Sequence, residues 1–485
     1  MAVELPRTTS SSLTLLNTLG AGSRPPAEND AAARPQSLPE MVIPLDVLSC
    51  IPPYRACRKS LFPLRLNRNS LATIRNFPCR TSAQAHTLVV KVIPMPVAAE
   101  KLRLSAISPG LVQSEIRAMS VECDRLGGIN LAQGVCDTEV PAPVLDRAAS
   151  AMAEGHNIYT RLDGIAPLRQ AISTKLAHYN GIAADPEGEI LVTSGATGAF
   201  YAACLALFDP GDEVILFEPF YGYHLNTLRA LRIQPVSVSL ESPDWSLDIA
   251  RLRAAISPRT RGLVINTPSN PCGKIFSRQE LEAIAALAVE HDLFVITDEI
   301  YEYFLYDGLR HISPATLPGM AERTITISGL SKTFSITGWR VGYLAASRRW
   351  MGAIGYFHDL TYVCSPSPFQ HASAAGLLQL PPSFYQSLST DYQIKRDMLC
   401  AALAQAGMTP SIPPGAYYVL ADISALPGAT ARDKARHLLR QTGVAAVAGS
   451  AFFAEGRGEN LARFCFAKRD DDLREACRRL TANHP

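Results

Sequence analysis

A lysine and an arginine eight positions apart, Lys332 and Arg340, carry the clearest chemical potential in this sequence. They lie in the segment SGLSKTFSITGWRVGY, just after an apolar run that is typical of a strand. A lysine amine can form a Schiff base with a carbonyl compound, and a planar guanidinium is well suited to bind phosphate. The pair therefore predicts a cofactor that carries both an aldehyde and a phosphate, as pyridoxal phosphate does. Taken alone, a Ser-Lys pair is more often a solvated surface feature.

Two further apolar runs end in polar side chains. Residues 293–297 are typical of a buried parallel strand, and Asp298 and Tyr301 come soon after. Residues 262–266 form another such run, which leads into a turn that contains Asn270. Because ligands of α/β sheets bind at the carboxyl ends of strands, these side chains are well placed to contact one. A strand-end aspartate is also consistent with capping of the turn that follows it.

Backbone donors for a phosphate are predicted in residues 189–208, EILVTSGATGAFYAACLALF. This segment reads as a strand, a glycine-containing loop and an apolar helix, whose first amides near Gly195, Ala196 and Thr197 can bind an anion. Farther on, the loop EPFYGYH places aromatic residues and His224 after another predicted strand. Aromatic clusters in such positions commonly belong to the core.

Arg463 stands inside the apolar, strand-like run LARFCFAK near the C-terminus. A buried arginine needs a polar or anionic partner, because an isolated buried charge is costly. That partner is either a carboxylate of the protein, in a structural ion pair, or a carboxylate of a ligand.

These motifs and their order resemble those of the class I/II aminotransferases, the fold-type I family of pyridoxal phosphate enzymes. The resemblance runs from about residue 105 to the C-terminus and rests on the Lys332 motif, the DEIY sequence at Asp298 and the NPCG turn at Asn270. It implies an α/β fold in which a large, doubly wound, mostly parallel sheet binds the cofactor. A smaller α+β domain would be formed by the N- and C-terminal parts of the core.

For the reactive part of the cofactor, the resemblance implies that Lys332 forms the Schiff base. Asp298 would pair with the pyridine nitrogen, with His224 behind it. Tyr301 and Asn270 would donate to the phenolic oxygen. The resemblance therefore implies that Lys332, Asp298 and Tyr301 are the catalytic residues.

For the rest of the cofactor, Tyr221 is the residue that we expect to stack on the ring, with Phe220 as the alternative. Gly329 departs from the family pattern, because many relatives carry a phosphate-binding serine there. That contact is either lost or taken over by Ser328 or Ser331. The phosphate-binding set that the resemblance implies is Gly195, Ala196, Thr197, Ser331, Arg340 and, from a neighbouring subunit, Tyr159. A homodimer with shared active sites is therefore expected.

The expected substrates are an L-α-amino acid and a 2-oxo acid, interconverted by a ping-pong mechanism. The resemblance implies that Arg463, Asn270 and the backbone of Gly134 bind the substrate α-carboxylate. No family arginine for a side-chain carboxylate is identifiable, and aromatic residues surround the expected site, so a neutral or aromatic donor is favoured.

Two alternatives to an aminotransferase remain open. A carbon-sulfur β-lyase on the same scaffold would use the same residues, and sequence motifs cannot separate the two reactions. A transcription regulator with an aminotransferase-like domain is a more distant alternative, since the first 94 residues show no convincing helix-turn-helix pattern.

The composition of the chain limits the classes of partner that we expect it to bind. The net charge of +2 gives no argument for nucleic acid or membrane binding, and no apolar run is long enough to span a bilayer. Eleven cysteines without a C-x-x-C pair or clustered histidines indicate reduced thiols, with no metal site. A cytoplasmic location is expected.

The amino-acid composition of the chain changes along its length. Residues 1–94 are rich in Ser, Pro, Arg and Leu, and we expect a disordered or non-core extension there, either a targeting segment or an over-long start. Residues 105–140 are predicted to form an N-terminal arm and part of the small domain. Residues 141–369 would form the large cofactor-binding domain, and residues 370–485 the small C-terminal domain.

Overall fold

The computed structural model describes residues 102–108, 115–454 and 456–482, together with the backbone of four short strands nearer the N-terminus. The chain divides into two compact units, Met1–Arg103 and Leu104–Pro485. The strands of the first unit are β1 Met41–Ile43, β2 Pro63–Asn67, β3 Ser70–Thr73 and β4 Leu88–Pro94. They pair antiparallel in the order β1-β4-β3-β2. The expected extension over residues 1–94 falls largely outside the described residues and stays a prediction.

The second unit alternates strands and helices. Its strands are β5 Ile129–Asn130, β6 Ile190–Ser194, β7 Glu213–Glu218, β8 Gln234–Ser239, β9 Thr260–Asn266, β10 Phe294–Asp298, β11 Thr324–Gly329, β12 Val341–Ala345, β13 Thr409–Ser411, β14 Tyr418–Asp422, β15 Val444–Ala445, β16 Val447–Ala448 and β17 Leu461–Cys465. Its helices are α1 Glu115–Arg125, α2 Ala142–Ala153, α3 Ala166–Lys175, α4 Gly195–Leu207, α5 Gly222–Ala230, α6 Ile249–Ala254, α7 Arg278–Glu290, α8 Arg348–Tyr362, α9 Ser367–Gln379, α10 Pro382–Gln405, α11 Ala431–Thr442 and α12 Asp470–Thr481.

A seven-stranded sheet in the order β6-β12-β11-β10-β9-β7-β8 forms the centre of this unit. The pairs among β8, β7, β9, β10 and β11 are parallel, whereas β12 runs antiparallel to both β11 and β6. The predicted α/β class with a large, mostly parallel sheet is therefore confirmed.

The large sheet is covered by helices on both faces, as its apolar strands require. Along β7, Ile215 and Phe217 pack in one cluster with α7, while Val214 and Leu216 pack in another with α4 and α8. Successive residues of a strand point to opposite faces, so a strand covered on both sides must be apolar throughout. Helix α7 begins with a capping box in which Ser277 and Glu280 satisfy each other's backbone amides.

A smaller antiparallel sheet in the order β13-β14-β17-β16 carries the C-terminal part of the chain. Nearby, β5 pairs in parallel with β15, so a segment before residue 140 joins strands from the C-terminal part. The domain limits at residues 141 and 370 stay predictions. In the described part of the chain, no helix combines the length and the apolar character needed to cross a bilayer.

Candidate active site

The carboxyl ends of β6, β9 and β10 meet the start of β12 at one edge of the large sheet. Because β12 is antiparallel, its first residue pairs with Ser194 at the end of β6. A cavity of about 660 Å³ opens at this edge. The predicted site residues that line it are Gly134, Ala196, Thr197, Tyr221, Asn270, Asp298, Tyr301, Ser331, Lys332, Arg340 and Arg463.

Lys332 lies in this cavity with little to hold its amine in place. Its Nζ donates to the carbonyl oxygen of Gly134 at 3.1 Å and lies 5.9 and 5.7 Å from the ring centres of Tyr301 and Tyr417. Burial lowers the pKa of Lys332 below its usual range, and the positive charge of Arg340 acts in the same direction. The neutral amine, which is the nucleophilic form, is therefore more accessible near neutral pH than in an exposed lysine.

Asp298 is held at the end of β10 by two contacts. Its Oδ2 lies 3.1 Å from Nε2 of His224, and its Oδ1 accepts a hydrogen bond from the amide of Ile300 at 3.3 Å. The ring of His224 packs against Phe200, with centres 4.5 Å apart, and meets Tyr221 edge-on at 5.3 Å. The carboxylate is thus buried, fixed in orientation and turned toward the cavity.

Tyr221 and Phe220 take different positions. Tyr221 lines the cavity and stacks on Tyr223, with ring centres 5.2 Å apart. Phe220 is 4% exposed and packs in the core with Leu216 and Val264. This geometry favours Tyr221 over Phe220 as the residue that would contact a planar ligand.

Arg463 is fully buried in β17. Its Nη1 donates to Oδ1 of Asn270 at 2.8 Å, and its Nη2 donates to the carbonyl oxygen of Ala132. The guanidinium lies 4.3 Å from the ring centre of Tyr418 and 4.8 Å from that of Phe452. Within the described residues its Nε has no hydrogen-bond partner and no carboxylate forms an ion pair with it. Arg463 therefore keeps an unneutralised charge at the cavity, which argues against a structural ion pair.

Asn266 is a site residue that sequence analysis did not identify. Its Oδ1 accepts from the amide of Asn270 at 2.7 Å, and its Nδ2 donates to the carbonyl oxygen of Asp298 at 3.0 Å. Asn266 therefore ties two neighbouring strand ends together. Asn266 could have been identified from the sequence because it is the last residue of an apolar, strand-like run, where ligand-binding side chains commonly lie.

Tyr418 was also missed. Its hydroxyl lies 2.9 Å from that of Tyr301, and burial raises the pKa of both phenols, so both stay protonated as donors. A Cβ atom on Gly134 would lie only 1.9 Å from the Tyr418 hydroxyl, so only glycine fits at this position. Tyr418 lies in the segment PPGAYYVL, whose apolar character predicts a core strand but not a side chain at the cavity.

The start of α4 and the guanidinium of Arg340 form the basic end of the cavity. Gly195 has a φ of +70°, and a Cβ atom there would lie 2.5 Å from Nη2 of Arg340. A residue without a side chain is therefore required for the arginine to cross the helix start. Arg340 is exposed, and its Nη1 donates to the carbonyl oxygen of Thr337 at 3.0 Å, which leaves other donors free to bind an anion beside Ala196 and Thr197.

Of the two serines considered near Gly329, Ser331 lines the cavity and Ser328 does not. The Ser328 hydroxyl donates instead to Oε1 of the buried Glu302 at 2.7 Å. A Cβ atom on Gly329 would lie 3.0 Å from Cδ1 of Ile300, so a larger residue would be crowded there.

Tyr159 is the predicted residue that the fold does not bring to this cavity. It is 80% exposed and lies between α2 and α3, beside a smaller cavity that His156, Arg161 and His371 also line. Within one chain, Tyr159 is therefore separate from the other predicted residues.

Comparison with known proteins identifies the family. A family model described as aminotransferase class I and II matches residues 127–480. The chain belongs to the class I and II aminotransferases. A probable N-succinyldiaminopimelate aminotransferase of Mycobacterium tuberculosis is 39% identical over 374 residues, which cover 75% of this chain and 94% of the relative. Human kynurenine–oxoglutarate transaminase 1 is 35% identical over 378 residues, which cover 71% of this chain and 90% of the relative.

A solved structure supports the same assignment. The N-succinyldiaminopimelate aminotransferase from Mycobacterium tuberculosis superimposes with a TM-score of 0.76 at 38% identity, covering 78% of this chain and all of the other. The protein is accordingly an enzyme, and the reaction that the relatives support is transamination of amino acids with 2-oxo acids. The carbon-sulfur lyase alternative is not supported by them.

The aminotransferases of this family depend on pyridoxal phosphate, and the cavity of this one fits that cofactor. The pKa of the half-buried Lys332 is lowered by desolvation, which favours the neutral amine that forms a Schiff base. The guanidinium of Arg340 lies against Gly195 at the start of α4, and together they offer donors for a phosphate. Asp298 offers a buried carboxylate for a protonated ring nitrogen.

A second charged cluster of this aminotransferase lies buried behind the end of β10. Oε1 of Glu302 is 2.5 Å from Nζ of Lys175, and Oε2 of Glu299 is 2.6 Å from Nε2 of His311. The Asn180 amide donates to both glutamates, at 2.8 and 3.3 Å. Burial raises the pKa of Glu302, but Lys175 and His311 outweigh this effect and leave the pKa lowered. The cluster anchors the segment that follows β10. It could not be predicted from the sequence because its members are far apart along the chain.

Replacing Glu302 with glutamine should destabilise the enzyme by about 3–5 kcal/mol at neutral pH, because Lys175 would keep a buried charge without its partner. Since the pKa of Glu302 is lowered on folding, its contribution is present above the usual glutamate pKa and is lost as the pH falls through the folded value. Urea unfolding measures the free energy of unfolding of the variant and of wild type. The difference between the two should be smaller near pH 4 than at pH 7.

The matched control is Glu290→Gln, which breaks an exposed pair with Arg253. It should barely move the unfolding midpoint. If the two glutamine variants unfold at the same urea concentration, the buried cluster does not stabilise the fold.

Proposed function

We propose that this aminotransferase holds pyridoxal phosphate through Lys332, acts on a neutral or aromatic L-α-amino acid, and works as a homodimer with shared sites. The observation that carries the proposal is a single cavity lined by a half-buried lysine whose pKa is lowered. An unneutralised arginine lies in its wall, and a second arginine crosses a helix start at its edge.

The proposed cofactor contacts follow from the contacts described above. Asp298, oriented by His224, would pair with the pyridine nitrogen and favour its protonated form. Tyr301 and Asn270 would donate to the phenolic oxygen, and Tyr221 would stack on the ring. The phosphate would be bound by Gly195, Ala196, Thr197, Ser331 and Arg340, joined by Tyr159 of a partner subunit.

Bound pyridoxal phosphate supplies an electron sink for the substrate carbon that carries the amino group. Lys332 supplies the amine that holds the cofactor and, once the substrate amine displaces it, a base at Nζ for the α-proton. The lowered pKa of Lys332 suits this second task, because a base must be neutral before it can accept a proton. Burial raises the pKa of Tyr301, so its hydroxyl stays a hydrogen-bond donor while the lysine proton moves.

The substrate α-carboxylate would bind Arg463. Arg463 and its partner Asn270 both line the cavity, as does Gly134. A planar guanidinium that makes two parallel hydrogen bonds orients a carboxylate as well as attracting it. This fixes which face of the α-carbon turns toward Lys332.

Arg463→Lys should weaken binding of the amino acid by about 1.5–3 kcal/mol, because a bidentate charged contact becomes a single-point contact. The affinity for pyridoxal phosphate should hardly change, since the residues proposed to bind its phosphate lie at another end of the cavity. Substrate KM values and equilibrium cofactor titrations measure the two effects separately. An equal loss of both affinities would mean that Arg463 is structural.

The proposed donor class rests on the apolar part of the cavity lining. Apart from its polar groups, the wall is formed by aromatic and apolar side chains, among them Phe200, Tyr221, Tyr223 and Ile116. A panel of amino acids, each assayed with 2-oxoglutarate and with pyruvate, tests the proposal by the appearance of the new amino acid. Release of ammonia without a new amino acid would contradict transamination, and activity confined to acidic or basic donors would contradict the donor class.

The homodimer is proposed because Tyr159 is exposed and separate from the cavity of its own chain. A cytoplasmic location is also proposed, and the free state of all eight described cysteines supports it.

A further inference from the structure

Two tyrosine rings flank the amine of Lys332. Its Nζ lies 5.9 Å from the ring centre of Tyr301 and 5.7 Å from that of Tyr417, and the planes of the two rings meet at 83°. A cation within about 6 Å of an aromatic ring centre is attracted by the negative charge of the ring face. The amine therefore lies in a corner between two rings, each close enough to attract its protonated form.

Tyr417 is held firmly in this position, although it does not line the cavity. It is fully buried, and its ring packs against those of Phe304 and Tyr418, with centres 5.4 and 4.8 Å away. Its hydroxyl donates to the carbonyl oxygen of Gly134 at 3.4 Å, the same oxygen that accepts from Nζ of Lys332. Because Tyr417 is outside the cavity wall, it can affect the reaction only through the residues that it contacts.

In the part of the chain that the structure describes, no carboxylate forms an ion pair with Lys332. Asp298 is the acidic residue of the cavity lining, and the proposed function assigns it to the cofactor nitrogen. Cys136 and Cys465 lie near enough to affect the pKa of Lys332, but burial raises the pKa of both thiols, so they stay neutral. The charge of Arg340 opposes protonation of the lysine. The ring faces are therefore what remains to stabilise a charged Lys332.

The base of the reaction has two opposing requirements. It must be neutral before it accepts the α-proton, and it must hold that proton afterwards. Desolvation favours the neutral form, since it lowers the pKa of Lys332. A carboxylate in contact with the amine would raise this pKa by about 1–3 and keep the lysine charged at rest. An aromatic ring attracts a cation more weakly, so it favours the ammonium form without preventing its deprotonation.

We propose that Tyr417 is a positioning residue: with Tyr301, its ring face holds the amine of Lys332 and stabilises the ammonium that forms when Lys332 accepts the α-proton. The inference rests on the proposed function, in which Lys332 is that base. The proton passes from the α-carbon to Nζ, and the electron pair of the broken bond goes to the cofactor. Tyr417 exchanges no proton, because burial raises the pKa of its hydroxyl.

The test changes the charge of the ring face at position 417 and keeps its shape. Tyr417→Phe removes the hydroxyl, and phenylalanine analogues with increasing ring fluorination at the same position then weaken the ring face with little change in size. The pKa of Lys332 is measured in the full chain freed of cofactor, from the pH dependence of its acetylation by acetic anhydride, with peptide mapping to identify the labelled lysine.

The matched control is the same series of analogues at Tyr392. This residue is buried in the same aromatic cluster, with its ring centre 6.1 Å from that of Tyr417, and it does not line the cavity. The lysine that lies over its ring is Lys395. Fluorination there should leave the pKa of Lys332 unchanged.

Tyr417→Phe should leave the pKa of Lys332 nearly unchanged, and full fluorination of that phenylalanine should lower it by about 0.5–1 pH unit. A pKa that does not respond to fluorination would overturn the inference, as would an equal response to fluorination at Tyr392. A fall in Tyr417→Phe as large as that on full fluorination would also overturn it, because the hydroxyl and not the ring face would then be responsible.

The loaded enzyme gives a second measurement. With saturating amino acid, the single-turnover rate constant should fall by about twofold to tenfold on full fluorination at position 417, in step with the weaker base. The apparent Kd for the amino acid should hardly change, because Tyr417 does not line the cavity. A raised Kd with an unchanged rate constant would overturn the inference, since Tyr417 would then only shape the binding site.

The two measurements separate failure of this inference from failure of the proposed function. If the wild-type enzyme transaminates and the pKa of Lys332 does not depend on the ring at position 417, the proposed function stands and the inference falls. If no donor and acceptor pair reacts, the proposed function falls, and the acetylation measurement still decides whether the Tyr417 ring stabilises the ammonium form of Lys332.

Discussion

Replacing Lys332 with alanine should reduce transamination by at least about ten-thousand-fold, because one side chain supplies both the covalent attachment and the base for the α-proton. No other lysine lines the cavity among the described residues, so no second amine can take over either task. The loss should appear in kcat as well as in kcat/KM, since the missing group acts after the substrate has bound.

Borohydride reduction followed by peptide mapping tests the assignment directly. Wild-type enzyme should carry a reduced pyridoxyl group on Lys332, and the alanine variant should carry none. Lys332→Arg is the matched control: it keeps a positive charge in the cavity but cannot form a stable Schiff base, so it should be as inactive as alanine. A label on a different lysine, or substantial activity in the arginine variant, would show that Lys332 acts only through its charge.

The strand ends made much of this site predictable. Asp298 ends one buried apolar strand and Asn270 follows another, and parallel strands place such residues at one edge of the sheet. The position of Arg340 needs a further step. The link from the end of β11 to the start of β12 spans residues 330–340 and contains no crossover helix, so β12 returns antiparallel. That reversal carries the arginine back to the edge where Lys332 lies.

Other parts of the site could not be predicted because they depend on contacts between distant segments. Lys175 and Glu302 are far apart in sequence, and nothing in the local pattern around either one indicates a buried ion pair. Tyr418 belongs to an apolar strand of the smaller sheet, and its contact with Tyr301 arises only from the way this sheet meets the cavity.

An active enzyme should assemble from two chains that are each defective, one carrying Tyr159→Ala and the other Lys332→Ala. Within one chain, Tyr159 is exposed and lies outside the cavity, so a phosphate contact from this residue has to come from a partner subunit. Tyr159→Ala should lower activity by about tenfold or more, as expected when a hydrogen bond to a charged group is lost. Lys332→Ala should be inactive on its own.

In a two-fold dimer, a Lys332→Ala chain paired with a Tyr159→Ala chain would hold one site with both defects and one site with neither. Random assortment makes half of the dimers mixed, and half of the sites in each mixed dimer are intact, so coexpression should restore about a quarter of wild-type activity. Differential affinity tags on the two chains allow the mixed dimer to be isolated, and its specific activity should then approach half that of wild type. If Tyr159 serves the site of its own chain instead, every site in the mixed dimer carries one defect. Its activity would then not exceed the average of the two parents, and the shared site would be excluded.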